Sequence, residues 1–246
     1  MHELSARVAG HLAAKGEGEV CAVFKRSFYL RFADDAYACV GDASIGRGPL
    51  NAIVEHFTLP ELGQRVALSA DSTWEPIRAV AGFVDLILLR DAALGRAPAE
   101  GLGCLVAGKH NALTAHAQPA LDAIDEWLAG NALDPRAEQL IGLGPGLTPS
   151  GDDYLGGVMV ALHALGRGSQ AAALWRRLEP RLASRTSAIS AAHLAAAAAG
   201  HAHEALHRIL DGELDLDALD AVGHTSGWDA LAGAVAVLRQ RSRAAS

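Results

Sequence analysis

Near the start of the chain, hydrophobic and polar positions alternate. Phe28, Leu30 and Phe32 fall on one parity, and Tyr29 and Arg31 fall on the other. A period of two buries one face of a strand and leaves the other to solvent. The spacing predicts strands over 19–25, 27–33 and 36–40, all rich in valine, phenylalanine, tyrosine or cysteine. Asp34 and Asp35 supply the tight turn of a hairpin or meander between the second and third. A loop holding Gly46, Gly48, Pro49 and Asn51 follows over 41–51, and a further strand is expected over 65–69. Residues 2–15 read as a short helix, so the first 70 residues are mainly β.

From Trp74 onward the period lengthens. Pro76 suits a first helical turn, and 77–94 then continues with only Gly82 as a breaker. Further helices are predicted over 119–129, 135–140, 153–165, 170–182, 187–199, 203–210 and 229–241. Alanine dominates these segments, which favours helix and lets neighbouring helices approach closely. Residues 95–108 read as a loop joining two lobes, and the tail 239–246 as a frayed end. The fold class expected is α+β, with a β-rich N-terminal part over 1–72 packed against a mainly α-helical part over 73–246 that carries the glycine-rich motifs.

Composition narrows the function classes. At 246 residues, half of them hydrophobic, the chain can bury a sizeable core, yet no run of about 18 apolar residues occurs. Neither a membrane span nor a secretory leader is expected, which points to the cytoplasm. Cys21, Cys39 and Cys104 are an odd number at wide spacing, so buried free thiols are expected rather than a disulfide framework. A net charge of −7 repels polyanions, and nucleic acid is not an expected partner.

The most constrained segment runs over 142–153, Gly-Leu-Gly-Pro-Gly-Leu-Thr-Pro-Ser-Gly-Asp-Asp. Gly142, Gly144, Gly146 and Gly151 permit positive φ and close backbone approach, while Pro145 and Pro149 fix the turns between them. The segment matches neither the dinucleotide nor the P-loop pattern: leucine stands at 147, and no Gly-Lys-Ser/Thr follows. Its amides, with the hydroxyls of Thr148 and Ser150, are suited to surround a small anionic group at the start of the next helix. The structural alternative is that Ser150 caps this helix and Asp153 completes an acidic capping box. Asp152 and Asp153 either complement the helix dipole, or one of them orients a substrate amide or holds a divalent cation. Gly156 and Gly157 suggest tight packing against a neighbour.

A second segment, Gly223-His224-Thr225-Ser226-Gly227-Trp228-Asp229, repeats the pattern of hydroxyls, glycine and an acid opening a helix. Both helix starts are expected to face one cleft. His224 is the candidate proton carrier there, with a scaffold histidine as the alternative. Thr186 and Ser190, four apart, share a helix face and join the expected substrate contacts. The candidate catalytic residues are Asp152, Asp153 and His224. The candidate substrate contacts are Gly144, Gly146, Thr148, Ser150, Gly151, Thr186, Ser190, Thr225, Ser226 and Asp229. His203-Glu204-Ala205-Leu206-His207 matches the zinc-hydrolase string, but its extended form would need glycine where Leu210 stands. It is kept as an alternative, with no metal or cofactor in the main reading.

Through both glycine-rich segments, the Gly48-Pro49 turn, the helix start at Thr186 to Ser190 and the Ser226-Gly227 turn, the chain resembles a bacterial family long known only as a domain of unknown function. Its named member is the AllH subunit of oxamate carbamoyltransferase. The resemblance implies carbamoyl transfer to or from phosphate in ureide and purine breakdown, such as allantoin degradation. It implies work beside AllF-like and AllG-like subunits on a small anionic substrate. The rival from another class is a non-catalytic anion-binding subunit or sensor. No arginine or lysine lies within either glycine-rich segment, although phosphate recognition usually recruits one, and Lys25, Arg47 or Arg185 would have to fill that role.

Overall fold

Alternation over 27–31 produces the expected strand. In the computed structural model, which describes residues 2–75 and 82–244, Phe28 and Leu30 are buried while Arg31 is exposed. The chain divides into two units, Met1–Ile77 and Arg78–Ser246. The class is α+β, with a curled seven-stranded sheet in the first unit and helices dominating the second.

In the first unit, β1 (His2–Ser5) is followed by α1 (Ala6–Lys15), β2 (Glu17–Val23), β3 (Ser27–Arg31), β4 (Tyr37–Gly41), β5 (Asn51–Val54), β6 (Arg65–Ala67) and β7 (Ser72–Trp74). Their order across the sheet is β6-β2-β3-β4-β5-β1-β7. β2, β3 and β4 form the antiparallel meander, whereas β4 pairs with β5 in parallel and β1 with β7 in parallel. Asp35 adopts φ 56° in the turn, and Asp34 Oδ1 accepts from the Ala36 N–H, as a short acidic turn allows. The expected helix over 2–15 starts only at Ala6. Ser5 caps it by accepting from the Val8 N–H and donates to Pro49 O at 2.8 Å, which leaves His2–Ser5 to pair as a strand. Leu4, Val8, Val20, Phe28, Leu30, Phe32 and Val40 fill this unit's core.

The second unit contains, among the described residues, α2 (Leu86–Ala93), α3 (Ala112–Leu128), α4 (Ser150–Ala164), α5 (Gly168–Arg185), α6 (Ala188–Ala198), α7 (Glu204–Leu210), α8 (Leu216–Asp220) and α9 (Ser226–Ala244). The expectation of a helix from 77 partly lies outside the described residues. Within them, α2 begins at Leu86 because Asp85 caps it, accepting from the Ile87 and Leu88 N–H groups. α3 starts seven residues before Pro119, where Asn111 and Thr114 form a reciprocal capping box, and Pro119 sits inside it. The segment over 135–140 is a 3₁₀ turn rather than an α-helix. No described helix is long and apolar enough to cross a membrane.

α4 and α9 meet through glycines. A Cβ on Gly157 would fall 1.8 Å from Ala230 O, and one on Gly233 would fall 1.9 Å from Tyr154 O. Backbone therefore lies directly on backbone at this crossing. Leu155, Met159 and Leu162 of α4 join Leu231, Val235 and Leu238 of α9 and Ile124 of α3 in the buried core. By this contact the two helices bring their first turns, with both glycine motifs, into one region.

Candidate functional site

The loop before α4 is shaped by two close approaches. Gly142 has φ 71°, and a Cβ there would stand 2.0 Å from Arg185 O; a Cβ on Gly151 would stand 2.0 Å from Leu140 O. Any larger residue at either position collides with main chain. Gly144 and Gly146 also have positive φ, the latter at an exposed tip between Pro145 and Leu147. The Gly151 N–H donates to Leu143 O, and the Asp152 and Asp153 N–H groups both donate to Pro149 O. These three amides at the helix start are thus satisfied within the chain. Pro149, not Ser150, is the cap residue, and it makes no side-chain cap bond; Ser150 is the first residue of α4 and is buried. The capping box given as the structural alternative does not form.

Asp152 ties this loop to the α5–α6 junction. Its Oδ1 accepts from the Gly142 N–H at 2.9 Å, and its Oδ2 accepts from the hydroxyls of Ser190, at 2.7 Å, and Thr186. Ser187 donates to Leu147 O at 2.5 Å and caps α6, so the junction holds the loop at two points. Burial raises the Asp152 pKa, opposed by those three donors. Asp152 is 1% exposed with both oxygens occupied, and it shapes the loop rather than presenting a free group.

Asp153 and Asp229 differ from Asp152 in having an unpartnered oxygen. Asp229, fully buried, receives the Leu102 N–H at 2.6 Å and the Gly103 N–H at 2.7 Å on Oδ1. Its Oδ2 is closed to solvent and accepts no hydrogen bond; the same holds for Asp153 Oδ2. Burial raises the Asp229 pKa, and the nearby Thr225 and Ser150 hydroxyls and the two amides work against it. Burial also pushes Asp153 well above the usual carboxylate range. Ser226 opposes that shift, and the charges of Asp229 and Asp152 add to it. None of the ion pairs among the described residues involves any of the three carboxyls.

The two glycine motifs meet at hydroxyls: Thr148 Oγ1 lies 3.1 Å from Ser226 Oγ. Thr225 O accepts the Asp229 N–H at 2.9 Å, inside the first turn of α9. One region thus gathers Thr148, Ser150, Asp152, Asp153, Thr186, Ser190, Thr225, Ser226 and Asp229. His224 stands apart from it. Its side chain is 84% exposed, and its Nε2 lies 3.0 Å from Glu100 Oε2.

The glycine-bounded turn Gly101-Leu102-Gly103 was expected only as part of a linking loop, yet its amides hold Asp229. A Cβ on Gly101 would fall 2.6 Å from Asp229 Oδ1, and one on Gly103 would fall 2.5 Å from Trp228 Cβ. The Gly-X-Gly spacing was the available signal. The zinc string does not form a ligand pair. His203 is the cap of α7, with Nδ1 accepting from the Ala205 N–H, and His207 Nε2 accepts from the Ala202 N–H at 3.0 Å. Among the described residues no group of three metal-ligating side chains is assembled. Burial, reinforced by His201 and His203, holds His207 down at about 4.

Fold and site together define an α+β protein whose helical unit joins two glycine-marked helix starts around buried and half-buried carboxyls and hydroxyls. Residues 140–238 match the model of the AllH family, described as oxamate carbamoyltransferase subunit AllH. The matched stretch includes both glycine-rich segments and is the family these motifs resemble. No curated protein and no solved structure gives a significant match to the chain.

Proposed function

We propose that the chain is a carbamoyltransferase subunit that acts, with carbamoyl phosphate, on a small acid bearing an amide or ureide group in the nitrogen catabolism of the cytoplasm. The observation that carries this reading is the meeting of Thr148 and Ser226, 3.1 Å apart within the matched stretch. In such a transfer the acceptor nitrogen bonds to the carbamoyl carbon, the bond from that carbon to the phosphate oxygen breaks, and the nitrogen gives up one proton. Hydroxyl donors at this half-buried site would stabilise charge that develops on the carbamoyl oxygen. A carboxylate whose pKa is raised by burial holds a proton more readily than an ordinary one, and Asp153 fits the role of proton acceptor. Asp152, Thr186 and Ser190 hold the loop that carries Thr148. His224, exposed and facing Glu100, is given no proton-transfer role.

A second reading, a non-catalytic binding subunit, is favoured by two observations: three amides at the start of α4 are already bonded, and none of the ion pairs among the described residues gives the three carboxyls a basic partner. Basic groups for a phosphate would then come from AllF-like and AllG-like subunits. Phosphate release from carbamoyl phosphate and oxamate, measured with the full chain alone and with those subunits, separates the readings. The catalytic reading expects Ser226→Ala to lower kcat by about 100-fold or more in whichever form is active. Unchanged kcat in that variant favours the binding subunit, and no phosphate release in either form overturns the proposal.

A further inference from the structure

Asp229 joins three segments of the helical unit at one carboxyl. Its Oδ1 accepts the Leu102 N–H at 2.6 Å and the Gly103 N–H at 2.7 Å, and the hydroxyls of Thr225 and Ser150 act on the same group. The Asp229 N–H also donates to Thr225 O at 2.9 Å. Thr225 directly precedes Ser226, and Ser150 closely follows Thr148. The carboxyl therefore acts on the chain beside each member of the Thr148–Ser226 pair without belonging to the pair.

The turn that holds Asp229 is itself braced from α3. Asn111 Nδ2 donates to Ala99 O at 2.8 Å and to Gly101 O at 2.7 Å, while Asn111 Oδ1 caps α3 by accepting from the Thr114 N–H at 2.8 Å. Leu102 is fully buried, which seats the middle of the turn in the core. A group held through anchored elements is placed more precisely than one on a free loop, and a displacement of about 1 Å can cost on the order of 100-fold in rate.

We propose that Asp229 is a positioning residue for carbamoyl transfer: it carries the fixed placement of the Asn111-braced turn over 99–103 to the Ser226 hydroxyl, and to the loop that brings Thr148 against it. The proposal rests on the carbamoyl-transfer reading and gives Asp229 no contact with substrate. Because the carboxyl acts through Ser226, its loss and the loss of the Ser226 hydroxyl are not independent.

The test is a double-mutant cycle on kcat for phosphate release from carbamoyl phosphate and oxamate, using the full chain in whichever form is active, alone or with its partner subunits. Asp229→Ala is expected to lower kcat at least about tenfold, with KM within about twofold of the parent. Asp229→Asn keeps an oxygen for the Leu102 and Gly103 amides and should recover most of that loss. In the Ser226→Ala background, Asp229→Ala should lower kcat by no more than about twofold, whereas a loss of folded protein alone would act by the same factor in both backgrounds. Asn111→Asp keeps the α3 cap but removes the donor to Ala99 O and Gly101 O, so it should repeat the pattern and serves if Asp229→Ala does not fold. Equal factors in the two backgrounds, no recovery in Asp229→Asn, or a parental kcat in Asp229→Ala overturns this proposal and leaves the carbamoyl-transfer reading standing. Unchanged kcat in Ser226→Ala, or no phosphate release in either form, removes that reading, and this proposal falls with it.

Discussion

Thr148 Oγ1 and Ser226 Oγ lie within hydrogen-bond distance across 78 positions of the chain, and they join the loop before α4 to the first residue of α9. The Thr148 hydroxyl is not needed to start α4, because Pro149 is the cap of that helix and makes no side-chain bond.

If the pair is a bond, its removal is non-additive. Thr148→Ala and Ser226→Ala should each cost about 0.5–1.5 kcal/mol of stability. The double variant should cost less than the sum by about 0.5 kcal/mol or more, as expected for residues in contact. Denaturant titration of the four proteins gives the coupling, and strict additivity would show that the hydroxyls act independently.

The α4–α9 crossing makes a sharper claim. Gly157→Ala pushes a methyl into Ala230 O and Gly233→Ala pushes one into Tyr154 O, and a backbone carbonyl has no rotamer by which to yield. Each should destabilise by about 2 kcal/mol or more. Gly156 is the internal control, since a Cβ there would lie 3.6 Å from Ala197 Cβ, an ordinary contact. Gly156→Ala should be neutral or stabilise by about 0.5–1 kcal/mol through helix propensity. Equal effects at 156 and 157 would contradict the crossing described.

Much of the architecture was legible because it follows from local rules. Alternation at Phe28, Leu30 and Phe32 marked the meander, and alanine-rich runs marked the helices. Caps were less legible, since Asn111 with Thr114, and Asp85, moved two helix starts by several residues through side-chain bonds that periodicity does not register. In the site, the glycines at 142 and 151 signalled close approach correctly, but the partners, Arg185 O and Leu140 O, are products of tertiary packing. For the same reason the amides of Leu102 and Gly103 were not foreseen as the holders of Asp229. An open amide cradle was expected over 142–153, but the amides of Gly151, Asp152 and Asp153 bond to Leu143 O and Pro149 O.

His207 should dominate the acid side of the stability profile. Its Nε2 accepts from the Ala202 N–H, so the neutral ring carries its proton on Nδ1. The folded pKa near 4 lies below the ordinary 6.5, so this group's contribution is fully present above 6.5 and is lost as the pH falls toward 4. The loss is on the order of 3 kcal/mol. His207→Gln retains an acceptor without the titration, and its thermal midpoint should fall less than the parent's between pH 6.5 and 4. Parallel curves would mean that protonation of His207 does not unseat the fold.

Asp153 should act with the opposite sign. Its folded pKa is raised well above 3.8, so folding favours the protonated carboxyl. The contribution is fully present below 3.8 and is lost as the pH rises through the folded value. The ionised side chain then sits with an unpartnered Oδ2, near the charges of Asp229 and Asp152. Asp153→Asn removes this burden while keeping the shape, so the variant should be more stable than the parent at pH 7–8, and the difference should shrink as the pH is lowered toward 4. The same substitution should abolish phosphate release if Asp153 accepts the proton, the trade expected where a buried charge serves function at the expense of stability. Thermal midpoints from pH 4 to 8, read beside activity, decide the matter. A variant less stable than the parent at pH 8 would show that the Asp153 charge is compensated in the fold, and a stabilised variant with full activity would remove Asp153 from the chemistry.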